Sequence, residues 1–155
     1  MIEGINFKEL TEVNLNTVSE LHALFPHWKL SSVQKKLNIT CLGKDRRFIA
    51  LNKDRIVAHA RVVPAQGLHK HRVEVTSLVV EQGFRGQGIG SELMKFVLRN
   101  LLSDKKLVLL AVDSKNKAAI KLYKNLGFEK YGSLKKASLV NGKFIDNLLM
   151  KKDLV

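Results

Sequence analysis

The sequence of 155 residues contains a single cysteine, Cys41, and few long apolar stretches. One cysteine excludes an internal disulfide and a cysteine-rich zinc site, and it suits a reducing compartment. The longest unbroken apolar run, from Leu107 to Val112, is far shorter than the roughly 20 residues that span a bilayer. The first residues lack a basic segment followed by an apolar one. We therefore expect a cytoplasmic protein with no membrane contact.

Acidic and aromatic residues are also scarce. The chain has 14 Asp and Glu against 27 Lys and Arg, which gives a formal net charge of +13. Such a field attracts nucleic acid, acidic membranes and phosphorylated cofactors alike. The basic residues are scattered, with no block of five or six, and the chain has only two tyrosines and one tryptophan, so aromatic platforms for stacking bases are poorly supplied. We therefore do not expect nucleic acid as a partner.

The hydrophobic pattern predicts one α/β domain over residues 1–155, with elements in the order β-α-α-β-β-β-α-β-α-β-β. Helices alternate with strands only in the second half, which predicts a mixed sheet flanked by helices, not a doubly wound parallel one. Along the third long strand, strict alternation would place Val73, Val75, Ser77 and Val79 on one face. Helices are predicted over residues 14–24, 88–102 and 116–126, and a further short helix is capped by Ser31 or Ser32 and ends at residue 37. Strands are predicted over residues 5–7, 47–51, 56–63, 73–80, 107–112, 128–139 and 143–150.

A glycine-rich segment, Arg85-Gly86-Gln87-Gly88-Ile89-Gly90, lies between a predicted strand and a predicted helix. Glycines allow the backbone to approach a ligand closely. The first amides of the following helix are unpaired, and together with the helix dipole they favour phosphate. Ser91 can add a hydroxyl and Arg85 a charge, so this segment predicts a phosphate-binding loop.

Two other phosphate loops have similar glycine spacing. A P-loop needs lysine and a hydroxyl where this chain has Ile89-Gly90, so a nucleotide hydrolase is excluded. A dinucleotide-binding fold would accept Gly86 and Gly88, with Asp113 as the acidic residue after the next strand. Five residues separate the strand from Gly86, and the unit follows a predicted antiparallel meander. The dinucleotide fold therefore stays as a minor alternative.

The loop matches the signature Arg/Gln-x-x-Gly-x-Gly/Ala at every defined position, and here the chain resembles the GNAT family of N-acetyltransferases. A second segment, Asn116-Lys-Ala-Ala-Ile-Lys-Leu-Tyr123-Lys-Asn-Leu-Gly127-Phe128, is similar to the family's later motif. The resemblance covers residues 45–150 and follows the N-terminal helices only in outline. It implies the acyl-CoA N-acyltransferase fold, with a mostly antiparallel sheet of six or seven strands and about four helices.

The resemblance also implies where acetyl-CoA binds. The backbone of residues 78–80 would pair with the pantetheine arm, the amides of residues 86–91 would hold the pyrophosphate, and Asn116 would contact the arm from the last helix. The implied cofactor residues are Leu78, Val79, Val80, Arg85, Gly86, Gln87, Gly88, Ile89, Gly90, Ser91, Asn116 and Tyr123.

Two side chains are candidates for proton transfer. Asn116, Ile120 and Tyr123 share one helix face by their spacing, and Tyr123 would protonate the leaving thiolate, since a phenol with a reference pKa of about 10 is protonated at neutral pH. Glu74, eleven residues before Arg85, is the candidate general base; it could equally be a solvent-facing strand residue. His59 and His71 are weaker candidates, and we expect no metal.

The function expected from the resemblance is transfer of an acetyl group from acetyl-CoA to a primary amine, by direct attack in a ternary complex. A small-molecule amine is the first hypothesis. A protein lysine or N-terminal amine is the second, and a non-catalytic acyl-CoA-binding or basic nucleic-acid-binding module is the third. A homodimer is one option for assembly.

Overall fold

The computed structural model describes residues 2–12, 14–26, 29–41, 45–101 and 104–154. These residues form seven strands and four α-helices in the order that the sequence predicts. The strands are β1 (Ile5–Glu9), β2 (Arg46–Asn52), β3 (Arg55–Pro64), β4 (Arg72–Val80), β5 (Leu107–Asp113), β6 (Glu129–Val140) and β7 (Lys143–Asp153); the helices are α1 (Leu15–Leu24), α2 (Leu30–Cys41), α3 (Ile89–Leu101) and α4 (Lys117–Asn125).

All seven strands join one sheet in the order β1-β2-β3-β4-β5-β7-β6. Only the pair of β4 and β5 is parallel, and each of the other neighbouring pairs is antiparallel. The chain between β4 and β5 contains α3, as a parallel connection requires. The prediction of a mixed, mostly antiparallel sheet with about four helices is therefore confirmed.

Each face of the sheet carries its own hydrophobic cluster. The larger one contains the buried side chains of α3, Tyr123 and Phe128, together with residues such as Val62, Val73 and Val75 of the sheet. The smaller one joins α1 and α2 to the opposite face, through residues such as Leu21, Val33 and Ile49. We call the side of the sheet that carries the larger cluster the α3/α4 face, and the opposite side the α1/α2 face.

Local sequence signals explain several element boundaries. Asn14 caps α1, because its side chain accepts a hydrogen bond from the backbone amide of Thr17 at 2.9 Å. In return, the Thr17 hydroxyl oxygen accepts a hydrogen bond from the backbone amide of Asn14. The tight turn between β6 and β7 is Asn141-Gly142, where both residues have positive φ, of 50° and 74°. This is the hairpin that an Asn-Gly pair predicts.

One prediction about β4 is wrong. The register of β3 and β4 passes from Arg61↔Ser77 to Val62↔Val75, so Thr76 is an extra, bulged residue. Strict alternation therefore fails, since the bulge shifts the later side chains by one position. Leu78 and Val80 pack with Val73 and Val75 against the larger cluster, while Val79 packs against the smaller one.

Helix α2 also differs from its prediction. It begins at Leu30, so Ser31 and Ser32 lie in its first turn and do not precede it, and it runs to Cys41. Strand β7 continues three residues beyond its predicted end at Met150. The predicted end of α3 at Leu102 lies outside the described residues. None of the described helices is both long and apolar enough to cross a membrane.

Candidate active site

Strands β4 and β5 separate part of the way along their length. They pair only from Arg72↔Leu107 to Val75↔Leu110, although β4 continues to Val80 and β5 to Asp113. The separation begins next to the bulge at Thr76. Beyond that point, the edge of β4 that faces β5 is open to an extended ligand, which could add to it like a further strand.

The loop between β4 and α3 presents six consecutive backbone amides, those of residues 86–91. The described residues provide no hydrogen-bond acceptor for any of them, and the first bond at this end of α3 runs from the amide of Glu92 to the carbonyl of Gly88 at 3.0 Å. Gly86 and Gly88 have φ of +77° and +82°, which favours glycine. Arg85 donates from Nε to the carbonyl of Val80 at 2.9 Å and so braces the loop. Unpaired amides at a helix start form a site for an anion.

The end of β4, this loop, the start of α3 and the helix α4 enclose a cleft of about 840 Å³. Its charged lining residues, Arg85 and Lys121, are both basic, and no carboxylate is found among the residues that line it. An anionic ligand therefore fits the cleft electrostatically. The lining consists of Leu78, Val79, Val80, Phe84, Arg85, Gly86, Gly88, Ile89, Gly90, Ser91, Asn116, Ala118, Ala119, Lys121, Leu122 and Asn125.

A second cavity, of about 790 Å³, lies between α1, the turn from β2 to β3 and the start of the β4–α3 loop. Three carboxylates line it, those of Glu20, Asp54 and Glu81. Glu81 forms an ion pair with Arg55, and Glu20 accepts a hydrogen bond from the amide of Ile56 at 3.0 Å. This carboxylate-rich lining is poorly suited to a diphosphate, so the first cleft is the better candidate.

Ten of the residues expected to bind the cofactor line the first cleft. Gln87 and Tyr123 do not. The Gln87 side chain is exposed and donates to the carbonyl of Gly83 at 3.1 Å. The cleft also contains residues that sequence reasoning missed: Phe84, Ala118, Ala119, Lys121, Leu122 and Asn125. The spacing of 118, 122 and 125 along α4 is the signal that could have found them.

Asn116 connects the cleft to the helix behind it. Its side-chain oxygen accepts a hydrogen bond from the amide of Ala119 at 3.0 Å and caps α4. With the oxygen occupied in this way, the side-chain NH₂ remains the group that could donate to a ligand. At the other end of α4, Gly127 has a φ of +82°, and the amide of Phe128 donates to the carbonyl of Tyr123 at 3.0 Å. These two bonds fix the helix at both ends.

Tyr123 lies in the core beneath the cleft. It is 7% exposed, and its ring packs edge-on against Phe128 with 5.7 Å between ring centroids. The described residues give its hydroxyl no hydrogen-bond partner, and the hydroxyl oxygen is not fully shielded from solvent. Burial raises the pKa of Tyr123 to about 12. The phenol therefore keeps its proton throughout the neutral range.

Glu74 lies on the α1/α2 face of β4. It falls between Val73 and Val75, which are buried against the α3/α4 face, and it pairs with Val63 of β3. Its side chain is exposed. His71 is exposed as well and lies just before β4.

A buried polar cluster on the α1/α2 face was not found by sequence reasoning. Asp45, Arg47 and His59 are all buried, and Arg47 Nη1 lies 3.0 Å from His59 Nε2. Arginine only donates, so Nε2 accepts and the proton of the neutral ring is on Nδ1. Burial, followed by the charges of Arg47 and Arg61, lowers the pKa of His59 to about 3. His59 is therefore neutral and enclosed, which makes it a poor general base.

Among the residues that the structure describes, no three His, Cys, Asp or Glu side chains are grouped closely enough to hold a metal ion. The absence of a metal stays a prediction. The side chain of Cys41 lies outside the described side chains.

The parted strands, the unpaired amides at the start of α3 and the basic cleft suit an extended ligand that carries phosphate groups. The profile of the Acetyltransferase (GNAT) family matches residues 15–128 of the chain. The chain therefore belongs to the GNAT family, as an acetyl-CoA-dependent N-acetyltransferase.

A sequence relative agrees with this membership, and solved structures share the fold. The chain is 28% identical over 148 residues to the L-amino acid N-acetyltransferase AaaT of Escherichia coli (strain K12), and the match covers 91% of this chain and 84% of that protein. A ribosomal-protein-alanine N-acetyltransferase from Brucella melitensis has a similar structure, with a TM-score of 0.84 and 21% identity over 96% of this chain and 99% of that one. So does a phosphinothricin acetyltransferase from Sinorhizobium meliloti in complex with acetyl-CoA, with a TM-score of 0.82 and 16% identity over 97% and 89%.

Proposed function

We propose that this chain transfers an acetyl group from acetyl-CoA to the primary amine of a small molecule, by direct attack in a ternary complex. The observation that carries the proposal is the row of unpaired amides of residues 86–91 at the mouth of a basic cleft. These amides and Arg85 suit the diphosphate of coenzyme A. The name of the E. coli relative supports a small-molecule acceptor.

The chain's own groups are suited to hold the cofactor in an extended form. The open edge of residues 78–80 offers backbone donors and acceptors along the cleft, in line with the loop amides. The start of α3 packs closely against α4 and β4 at Gly90, because an added Cβ would lie 3.4 Å from the side chains of both Leu122 and Val80. Asn116 completes the opposite wall from α4. Bound acetyl-CoA supplies the thioester carbonyl that the amine attacks.

Two proton transfers accompany this reaction, and we assign a residue to each. Glu74, at the inner end of the separation of β4 and β5, would take the proton from the amine directly or through water. Tyr123 would give its proton to the departing thiolate, since its raised pKa keeps the phenol protonated at neutral pH. No covalent bond to the protein is needed, so Cys41 has no role in this scheme.

A thiol-release assay with acetyl-CoA tests the proposal, using polyamines, amino acids, amino sugars and peptides as acceptors. We expect thiol release that depends on a small amine, with the acetylated amine detected by mass spectrometry. Release with peptides alone would instead indicate a protein acetyltransferase. Tight acetyl-CoA binding with no release for any amine would indicate a non-catalytic acyl-CoA-binding protein.

A cytoplasmic location, a single domain over residues 1–155 and a homodimer stay predictions from the sequence. Chemical cross-linking of the purified chain at several concentrations would test the assembly state.

A further inference from the structure

Arg61 and Glu74 bring opposite charges to one place on the α1/α2 face. Val62, between Arg61 and Val63, is fully buried against the α3/α4 face, so Arg61 and Val63 point the other way. Val63 pairs with Glu74, and Arg61 pairs with Ser77. Arg61 and Glu74 therefore lie on the same face, diagonally across the bulge at Thr76, with the pair Val62↔Val75 between their own pairs.

This place lies where β4 and β5 begin to separate. Strand β4 leaves β5 immediately after Val75, so an opening in the sheet begins next to Arg61 and Glu74. On the α3/α4 face, the lining of the cleft begins on β4 at Leu78, three residues further along the strand. An acceptor could therefore meet the acetyl group by entering from the α1/α2 face.

We propose that Arg61 binds the carboxylate of an α-amino acid acceptor and places its amino group beside Glu74. This inference rests on the proposed function and adds to it the acceptor class and the residue that selects it. A zwitterion carries a carboxylate and an ammonium group on one carbon, which suits an arginine and a glutamate on diagonal positions of one sheet face.

The charge around Arg61 favours an anion. Asp45 forms ion pairs with two guanidinium groups, with Arg61 through Nε and with Arg47 through Nη2 at 3.5 Å. His59 is neutral, so Asp45 offsets only one of the two guanidinium charges. Glu74 carries the compensating negative charge on the same face, so the group suits a zwitterion whose carboxylate faces Arg61 and whose ammonium faces Glu74.

Arg61 is also the member of this group that a ligand can reach. The side chains of Arg47 and Asp45 are 4% and 0% exposed, whereas that of Arg61 is 24% exposed. Among the described residues, Arg61 donates only through Nε, to Asp45. Its two terminal nitrogens thus remain for a carboxylate, and Asp45 holds the guanidinium in a fixed orientation.

The proposal predicts a specific order among acceptors. An amine that has lost its carboxylate, or an amino-acid amide, leaves Arg61 without a counter-ion, and so does the amino terminus of a peptide. A side-chain carboxylate could also reach Arg61. A series that keeps one apolar side chain and changes only the α-carboxylate, such as leucine, leucinamide and isopentylamine, separates binding of the α-carboxylate from binding of a side-chain carboxylate.

The test begins with the twenty amino acids, and the best acceptor is then compared with its amide and its decarboxylated amine, using the whole chain and acetyl-CoA. We expect kcat/KM to be at least about tenfold higher for the free amino acid. Arg61→Gln should lower kcat/KM for that amino acid by roughly 10- to 100-fold, mainly through KM, since it removes a charge-assisted hydrogen-bonded pair. It should leave the decarboxylated amine nearly unchanged, and Arg61→Lys should restore part of the loss.

The matched control is Arg55→Gln, which removes another arginine of β3, at the start of the strand, where it is paired with Glu81. This variant should leave kcat/KM unchanged for both acceptors. Thermal unfolding and acetyl-CoA affinity show whether Arg61→Gln remains folded. Equal use of the amino acid and its decarboxylated amine by the wild type would overturn the inference, as would an equal loss for both acceptors in Arg61→Gln. If no amine at all is acetylated, the proposed function fails and this inference with it.

Discussion

The two faces of the sheet bury different kinds of side chain. The cluster on the α3/α4 face consists of apolar residues and Tyr123, and the ligand groups beside it are backbone amides. The α1/α2 face has a smaller apolar cluster, and its sheet also carries Asp45, Arg47 and His59 in buried positions. One face therefore offers a ligand its backbone, and the other offers charged side chains.

This difference separates the two tasks of the site. Backbone amides can hold a diphosphate whatever the neighbouring side chains are, provided that glycines allow the approach. Selection of an acceptor needs charges in fixed positions, and burying charges is costly unless they are paired. The variants below change each face separately, so that each result assigns one task to one face.

The largest effect is expected for His59, the buried histidine of the α1/α2 face. In the unfolded chain a histidine takes up its proton near pH 6.5, whereas His59 in the folded chain does so at about pH 3. Between these values the unfolded state binds more protons, so the stability that His59 contributes is present above pH 6.5 and is lost as the pH falls toward 3. The slope should be up to about 1.4 kcal/mol per pH unit. Urea unfolding at a series of pH values measures this slope. His59→Gln removes the titrating group and should reduce the slope by the amount that corresponds to about one bound proton.

His69→Gln is the matched control, because His69 is exposed in the turn before β4 and its replacement should leave the slope as it is. Nuclear magnetic resonance of the wild-type imidazole gives an independent measure. Titration of His59 near pH 6.5 would show that the α1/α2 face is open to water at this point and would contradict its enclosed position.

The second effect concerns the backbone of the α3/α4 face, through Gly88→Val. Gly88 has a φ of +82°, a conformation that a β-branched residue adopts only with strain of about 1–3 kcal/mol. An added Cβ would lie 3.8 Å from Ile2 Cδ1, an ordinary contact, so we expect the backbone strain to displace the loop amides. We expect acetyl-CoA affinity to fall by roughly 100-fold, equivalent to one or two charge-assisted hydrogen bonds. Isothermal titration calorimetry measures the affinity.

Gly83→Ala provides the control in the same loop. Gly83 does not have a positive φ, and an added Cβ would meet no atom within 4 Å. This variant should bind acetyl-CoA as the wild type does. Unaltered affinity in Gly88→Val would refute the assignment of the loop to the diphosphate.

The sequence predicted the α3/α4 face well because its determinants are local. The glycine loop, the apolar stripe of α3 and the Asn116 to Gly127 segment can each be read within a few turns of chain, and the order of elements followed from periodicity. The bulge at Thr76 could not be predicted in this way. It arises from pairing with β3, where Val62 and Arg61 face residues two positions apart on β4.

The polar cluster of the α1/α2 face was missed for the same physical reason. Asp45, Arg47, His59 and Arg61 are separated in the sequence and meet only through the register of β2 and β3, in which Arg47 pairs with Arg61 and Ile49 with His59. Each is unremarkable as a single residue. The face of α4 that lines the cleft also differs from the predicted one. Helical spacing from Asn116 predicted a face that includes Tyr123, whereas the cleft is lined by residues such as Leu122.

The smallest effect is expected for Tyr123→Phe, which tests whether the core of the α3/α4 face takes part in chemistry. The ring would still pack against Phe128, so folding and acetyl-CoA affinity should hardly change. The lost hydroxyl should lower kcat by roughly one to two orders of magnitude, as for a missing general acid. Because the pKa of Tyr123 is raised to about 12, wild-type activity should show no decline from this group below about pH 10. Steady-state rates from pH 6 to 10 measure both quantities.

Tyr131→Phe is the natural control, since Tyr131 is the other tyrosine of the chain and lies exposed on β6. If both variants keep the wild-type kcat, Tyr123 is a core residue only, and the face that holds the cofactor contributes binding without proton transfer. If Tyr123→Phe alone is slow, with the acetyl-CoA affinity intact, the loss belongs to the hydroxyl and not to packing. The α3/α4 face would then hold both the cofactor and the acid, and acceptor selection and the base would be left to the α1/α2 face.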